Sequence, residues 1–218
     1  RAVAPLLREL AISARGERVA FVSSAKNLAP NAGRLPQVYL RDLRRGTTTL
    51  ISAAASGVPD GPSSEPRISA DGRKVIYSTR ATNPLPRTPL PMGGILLHDT
   101  DRDTRVPVAL DAAGKPLRAS YAEVFALSPS GRHLLFSTVS AQALTGGVGR
   151  RHQVLLRDLV EQTTEPVSVS STGRLGNANS RQAVMSRNAR VILFTSNARN
   201  LVRGAPGGRS LIYLRARR

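Results

Sequence analysis

The chain has no cysteine and no tryptophan, only three histidines, few aromatic residues, few acids and no long apolar run. Without cysteine neither a disulfide framework nor a thiolate metal site can form, and His98, His133 and His152 alone offer imidazole donors, which argues against zinc chemistry. No apolar run approaches the roughly 18 residues of a membrane-spanning helix, and the first residues lack the apolar core of a secretory signal. With aromatic residues at 4%, the stacking platforms that single-stranded nucleic acid uses are scarce. The deficit of acids is the largest departure: 14 Asp and Glu stand against 32 Lys and Arg, a formal charge of +18. Such a balance suits a polyanion through phosphate contact and counterion release, or is only a solvated surface written by a GC-rich genome. The arrangement of the charge therefore decides more than its size.

What the chain does have is repetition. With 218 residues, 40% of them hydrophobic, it can bury a core of its own. ISARGERVAFVSS (12–24), ISADGRKVIYST (68–79), LSPSGRHLLFST (127–138) and MSRNARVILFTS (185–196) are variants of one phrase, with Ser13, Ser69, Ser128 and Ser186 spaced 56, 59 and 58 residues apart. A second phrase follows each: QVYLRDL (37–43), GILLHDT (94–100), QVLLRDL (153–159) and SLIYLRA (210–216). A third, TTTLIS (47–52), TRVPVA (104–109) and TTEPVSVS (163–170), closes three of the units. Each phrase is short, β-branched or aromatic, and bounded by turn residues, which reads as a strand. No segment sustains a helical period; residues 1–10 are the best helical stretch and are too short to carry a helix.

Four short antiparallel strands per repeat describe a propeller blade. The expected fold is thus an all-β propeller region spanning 1–218, with blades at about 10–52, 66–109, 124–170 and 182–218. In the second unit the strands are expected to run up to Ser69, then Lys74–Thr79, Ile95–His98 and Arg105–Ala109. The phrase I-S-A-D-G-R-x-V-x-[FY]-x-S, followed by A-x-N-L, V-[FY]-L-R-D-L and T-x-x-[IV]-S, resembles the TolB-like β-propellers, relatives of the WD-repeat propellers, over residues 10–214. The resemblance implies a binding or scaffolding protein, in an extracytoplasmic location, either periplasmic or secreted. It says little about a site, because propellers are scaffolds on which sites are grafted.

Several motif residues read as structural. Asp71-Gly72, with Arg15-Gly16, Ser130-Gly131 and Asn188-Ala189 at the same place, forms a hairpin turn in which glycine accepts positive φ, and Asn188 is expected to tolerate the left-handed conformation in the fourth. A ligand loop would keep its chemical groups constant, and these vary. Asp42, Asp99 and Asp158 end the third strand of their blades and are expected to cap their own turns through backbone hydrogen bonds. Phe21, Tyr77, Phe136 and Phe194 recur at one strand position and read as core.

TolB-like repeats often carry an acidic segment between the second and third strands that suits calcium. Here the four segments, 25–37, 80–94, 141–153 and 197–210, contain no acid, which argues against calcium there. No cofactor is expected. Instead they hold Lys26, Arg34, Arg80, Arg87, Arg150, Arg151, Arg199, Arg203 and Arg209, while Glu17, Asp42, Asp71, Asp99, Asp101, Asp103, Asp158 and Glu161 fall in turns expected on the opposite face. Guanidinium forks suit phosphate or carboxylate. Duplex or ribosomal RNA backbone, acidic polysaccharide and an acidic protein patch stay open as the anion, with a nucleic-acid- or ribonucleoprotein-associated structural protein as the alternative role.

Catalysis is not expected. His98 stands where Arg41 and Arg157 stand in their repeats and reads as a surface turn residue; His133 follows a hairpin turn and His152 lies in a basic loop, with no nucleophile elbow or ligand spacing. A third reading is the propeller portion of a larger hydrolase. The chain begins at Arg1 rather than Met, and its fourth unit lacks an outer strand. The expectation is a piece of a six- to eight-bladed propeller, the alternative a four-blade ring closed by Val3–Leu7.

Overall fold

Alternation of branched apolar and small polar residues, interrupted every few positions by a turn, leaves these segments no better structure than antiparallel pairing. The computed structural model describes residues 9–86, 90, 93–110, 114, 116–117, 122–139, 151–206 and 209–217, and among them it holds strands and no α-helix. Val3–Leu7, Arg87 and Arg150 lie outside the described residues. No helix long and apolar enough to cross a membrane occurs among the described residues.

The first sheet comprises β1 (Leu10–Ile12), β2 (Arg18–Ser23), β3 (Gln37–Asp42) and β4 (Thr47–Leu50), paired in chain order. The second comprises β5 (Ser63–Ile68), β6 (Lys74–Thr79), β7 (Gly94–Asp99) and β8 (Thr104–Pro107). The third comprises β9 (Glu123–Leu127), β10 (His133–Thr138), β11 (Gln153–Asp158) and β12 (Thr163–Pro166). The last has three strands, β13 (Ser180–Met185), β14 (Val191–Ser196) and β15 (Leu211–Ala216). Four meanders of this kind are propeller blades.

The inner strand of the second blade begins at Ser63, earlier than the sequence suggested, because a bulge between Ser64 and Arg67 absorbs Pro66, which cannot donate to the ladder. Glu65 in that bulge and Gln182 in the corresponding bulge of β13 both take positive φ.

Contacts divide the chain into two compact units, residues 1–109 with 129–131, and 110–128 with 132–218. In the first, Ala20, Val38, Leu40 and Ile51 of one blade pack on Val75, Tyr77 and Leu96 of the next. In the second, Leu135, Val154, Leu156 and Val167 pack on Ala183, Ile192, Phe194 and Tyr213. Each fully buried side chain of this size contributes on the order of 1.5–3 kcal/mol. Tyr77, Phe136 and Phe194 are core residues as read from the sequence; Phe21 is only half-buried and stacks on Tyr39 with ring centroids 5.6 Å apart.

The four anchoring serines share one task. Ser13, Ser69, Ser128 and Ser186 each accept, at Oγ, the amide hydrogen of the residue five positions on, at 2.9–3.0 Å. Three of the same serines also accept at the main-chain oxygen from Gly16, Gly72 and Ala189. The fourth turn departs from the expectation: Asn188 caps the Arg190 amide with Oδ1, and Ala189, at the glycine position, takes the positive φ of 55°.

The two glycine turns that border open and crowded space differ in consequence. A Cβ at Gly72 (φ 75°) would stand 2.7 Å from Arg18 Cδ, whereas at Gly16 (φ 71°) the nearest atom is 3.9 Å away. Gly16→Ala is therefore expected to cost the left-handed penalty of about 1–2 kcal/mol, and Gly72→Ala more than that, measured as the difference in urea unfolding midpoints.

Candidate functional site

Within each blade the described hairpin turns lie at one end of the strands, while the described residues of the loop after the second strand and of the connector to the next blade lie at the other. At this loop end the first unit is pinned by Asp60 and Asn83. Thr82 donates its amide to Asp60 Oδ1 at 2.7 Å and its hydroxyl to Oδ2, and Asn83 Nδ2 donates to the Val58 carbonyl at 3.0 Å. The second unit repeats this 117 residues later with Asn177 and Asn200: Arg199 donates its amide to Asn177 Oδ1 at 2.9 Å, and Asn200 Nδ2 donates to the Leu175 carbonyl at 2.8 Å.

Beneath each pin lies a buried glutamine. Gln37 accepts from Ser52 Oγ at 2.5 Å and donates to the Gly61 carbonyl at 2.9 Å; Gln153 accepts from Ser168 Oγ at 2.6 Å and donates to Gly176 and Ala178. These residues escaped the sequence reading, although their recurrence after two blades rather than one was there to find.

The pinned loops carry the cations. In the first unit Lys26, Arg34 and Arg80 are exposed; in the second Arg151, Arg199, Arg203 and Arg209 are exposed, joined by Arg174 from the connector, which the sequence reading passed over. Among the described residues none of these eight makes an ion pair. Asp60 is an acid at the loop end of the first unit; the second unit has Asn177 in its place and no acid in its described loop residues.

The turn end is different. Asp42 accepts the Arg45 amide at 2.9 Å, Asp99 those of Asp101 and Arg102 at 3.1 and 3.2 Å, and Asp158 those of Val160 and Glu161 at 2.9 and 3.1 Å, the turn-capping role expected of them. This end also has its own arginines, and acids pair with five of them: Arg18–Asp42 (3.3 Å), Arg44–Glu17 (3.6 Å), Arg73–Asp101 (3.1 Å), Arg102–Asp99 (3.3 Å) and Arg132–Asp158 (2.8 Å), while Arg15, Arg45, Arg187 and Arg190 are exposed and make no ion pair among the described residues. Asp71 caps the Arg73 amide at 3.0 Å and accepts from Ser69 Oγ. In the first unit a depression of about 890 Å³ opens among these groups, with Arg15, Arg18, Arg45 and Arg73 on its walls. Arg18 crosses it, donating to the Gly72 carbonyl at 3.1 Å and Thr100 Oγ1 at 3.0 Å. The pairs with an exposed arginine, all but Arg18–Asp42, contribute roughly 0–1 kcal/mol each, so they balance charge more than they hold the fold.

One histidine is not where the sequence placed it. His98 is no surface turn residue: it is 3% exposed, with Nδ1 3.3 Å from the Ile51 carbonyl and Nε2 3.1 Å from Asp103. The left-handed φ of 50° at Asp103 folds that carboxylate back over the ring. His152, though in a basic loop, is also buried, with Nδ1 3.4 Å from the fully buried Ser137 Oγ. Burial pushes His98, His133 and His152 below the ordinary imidazole value. Asp42 is held below the usual carboxylate range by the Arg45 amide; for Asp99 and Asp158 burial acts upward, but turn amides and neighbouring arginines outweigh it. Among the described residues no three His, Asp or Glu side chains gather as metal ligands would.

Repeated antiparallel blades with grafted loops define a β-propeller. The particular propeller this fold is similar to is TolB. TolB from Acinetobacter baumannii superposes with a TM-score of 0.55 at 14% identity, covering 97% of this chain and 41% of its own. A putative TolB from Agrobacterium tumefaciens gives 0.56 at 17% identity, covering 95% and 60%. A prolyl endopeptidase structure gives 0.51 at 12% identity, covering 92% of this chain and 26% of its own. The chain thus spans less than two thirds of each of these proteins. No family model matches it, and no curated protein matches it in sequence.

The depressed values set two windows of acid sensitivity. A histidine that is neutral in the folded state, with its value below the unfolded one of about 6.5, contributes stability above that pH and loses it as pH falls through and below it. The aspartates act likewise, below about pH 4. Thermal midpoints are expected to fall first from pH 7 to pH 5 and again below pH 4, each kcal/mol reading as about 2–4 °C. His98→Gln should flatten the first decline and leave the second.

Proposed function

We propose that this chain is a non-catalytic β-propeller binding module that engages an anionic surface on a partner protein through its loop end. The observation that carries this reading is the charge of the loops: three exposed cations without an ion pair in the first unit and five in the second, with no acid in the described loop residues of the second, whereas five turn-end arginines are bound to acids. An unpaired guanidinium keeps its whole fork for an incoming carboxylate or phosphate, while a paired one must first surrender its partner. The aromatic side chains favour a protein over single-stranded nucleic acid, since among the described residues none is exposed for stacking. The likeness to TolB supports a binding role and accompanies an extracytoplasmic location. The buried state of Ser137 and His152 supports the non-catalytic reading over that of a hydrolase's own active domain.

The test is charge reversal at exposed sites. The triple variant Arg151→Glu, Arg199→Glu, Arg203→Glu, with unchanged thermal midpoint, should lose at least roughly tenfold in affinity for an acidic protein, with wild-type affinity falling steeply as salt rises. Arg15→Glu at the turn end should change it little. Equal binding by the triple variant would defeat the proposal, and preferential retention of duplex nucleic acid over acidic protein would favour a nucleic-acid role.

A further inference from the structure

At the turn end of the first unit two arginines depart from the repeat. The first turns of the second and fourth blades are capped from within: Asp71 Oδ1 accepts the Arg73 amide at 3.0 Å, and Asn188 Oδ1 accepts the Arg190 amide at 3.1 Å. Arg15 stands at the same place in the first blade. A guanidinium only donates, so this turn forgoes the cap. The outer turns differ in the same way. Arg102 pairs with Asp99 at 3.3 Å, and Glu161, at the same place, pairs with Arg132 at 3.2 Å. Arg45 has Asp42 where Arg102 has Asp99, but Arg18 already holds Asp42 Oδ2 at 3.3 Å. Arg15 and Arg45 are thus exposed and without an ion pair among the described residues. Exposure belongs to the turn positions themselves, since Asp71, Arg102 and Glu161 are exposed as well. Residues that break a local rule of their fold are where sites are found.

Both arginines line the depression of about 890 Å³, a volume within the roughly 300–1,000 Å³ of small-ligand pockets. On its walls Arg18, Arg44 and Arg73 are already held by Asp42, Glu17 and Asp101. Three lining groups have no ion pair among the described residues: the guanidiniums of Arg15 and Arg45 and the carboxylate of Asp71. These three decide what fits. No aromatic side chain is among the described residues of the lining, so a nucleobase or a sugar ring has nothing to stack on. A bare polyanion would meet the carboxylates of the walls as well as the arginines. A ligand of both signs satisfies all three groups, with two carboxylates for the guanidinium forks and one ammonium for Asp71.

We propose that this depression binds an acidic peptide by its amino terminus, with Arg15 and Arg45 taking the first two side-chain carboxylates and Asp71 the terminal ammonium. Two acidic residues behind a free amino group carry all three charges in a short span, whether on a free peptide or at the end of a protein. The walls are set before the ligand arrives. Arg18 spans the depression from its Asp42 partner to the Gly72 carbonyl at 3.1 Å and Thr100 Oγ1 at 3.0 Å, so neither blade has to move to form the site. The depression lies at the opposite end of the strands from the loop cations of this unit and does not depend on them.

The probe is the tripeptide amide Glu-Glu-Ala with a free amino end, titrated calorimetrically into the intact chain at low salt. The expected result is saturable binding at one site, at least roughly tenfold weaker with Arg15→Ser, Arg45→Glu or Asp71→Asn. Each substitution takes the residue that another blade has at that place, Ser130, Glu161 and Asn188, and should leave the thermal midpoint unchanged. The N-acetylated peptide should also bind at least roughly tenfold more weakly, and Asp71→Asn should weaken it no further, which isolates the ammonium–carboxylate pair. Absence of saturable binding overturns the proposal. So does equal binding of the free and acetylated peptides, and so does binding that ignores Arg15→Ser but is lost with Arg151→Glu, Arg199→Glu and Arg203→Glu together, which would assign the peptide to the loop end. The same three residues at the amino terminus of a carrier protein form a second arm: tighter binding of the carrier assigns a protein terminus, tighter binding of the tripeptide a free peptide, and either upholds the site. Failure here leaves the loop-end reading standing, because Arg15, Arg45 and Asp71 are no part of it.

Discussion

A serine hydroxyl that accepts the amide five residues ahead is the contact on which each blade depends. It closes the turn between the first two strands and fixes their register. Register in turn decides which face of the strand is apolar, since a slip of one residue would send every side chain to the opposite face. With Ser69 holding Lys74, Val75, Tyr77 and their partner Leu96 face the neighbouring blade. With Ser186 holding Val191, Ile192, Phe194 and Tyr213 do the same in the second unit. The conformational demand falls on a single residue per turn, which is why Gly16, Gly72 and Gly131 recur and why Ala189 carries the left-handed strain where glycine is missing.

The two ends of the blades solve the same problem, the satisfaction of turn and loop backbone groups, with different chemistry. At the turn end the caps are carboxylates, Asp42, Asp99 and Asp158, and a carboxylate that caps a turn also attracts the nearest arginine. At the loop end of the second unit the pins are neutral amides, Asn177 and Asn200, so the loop is ordered without any charge being consumed. That choice of cap leaves the loop cations of the second unit without an acid beside them, whereas the turn-end carboxylates each hold an arginine. Asp60 in the first unit, where the second has Asn177, weakens the contrast there.

Much of the fold was legible because a repeat tests itself: four variants of one phrase distinguish the residues a strand needs from those a site would keep. The aspartates were legible as caps for the same reason, their place before a turn being enough to define their partners. His98 was not, because its place in the repeat is that of Arg41 and Arg157, and neither residue type nor position says that Asp103 will turn back to cover the ring. The bulges around Glu65 and Gln182 were also hidden, since a single extra residue in a strand leaves no mark on its period.

Local chemistry alone determined that this chain would make four-strand meanders, where their turns would fall, and that its long loops would be rich in arginine and free of acid. Those features depend on residues close together in the chain, or on a pattern that recurs. Only the tertiary structure decided which arginines remain unpaired, and that Gln37 and Gln153 with Asn83 and Asn200 order the loops. Pairing and exposure depend on groups brought together across tens of residues, and composition cannot say which of them will meet.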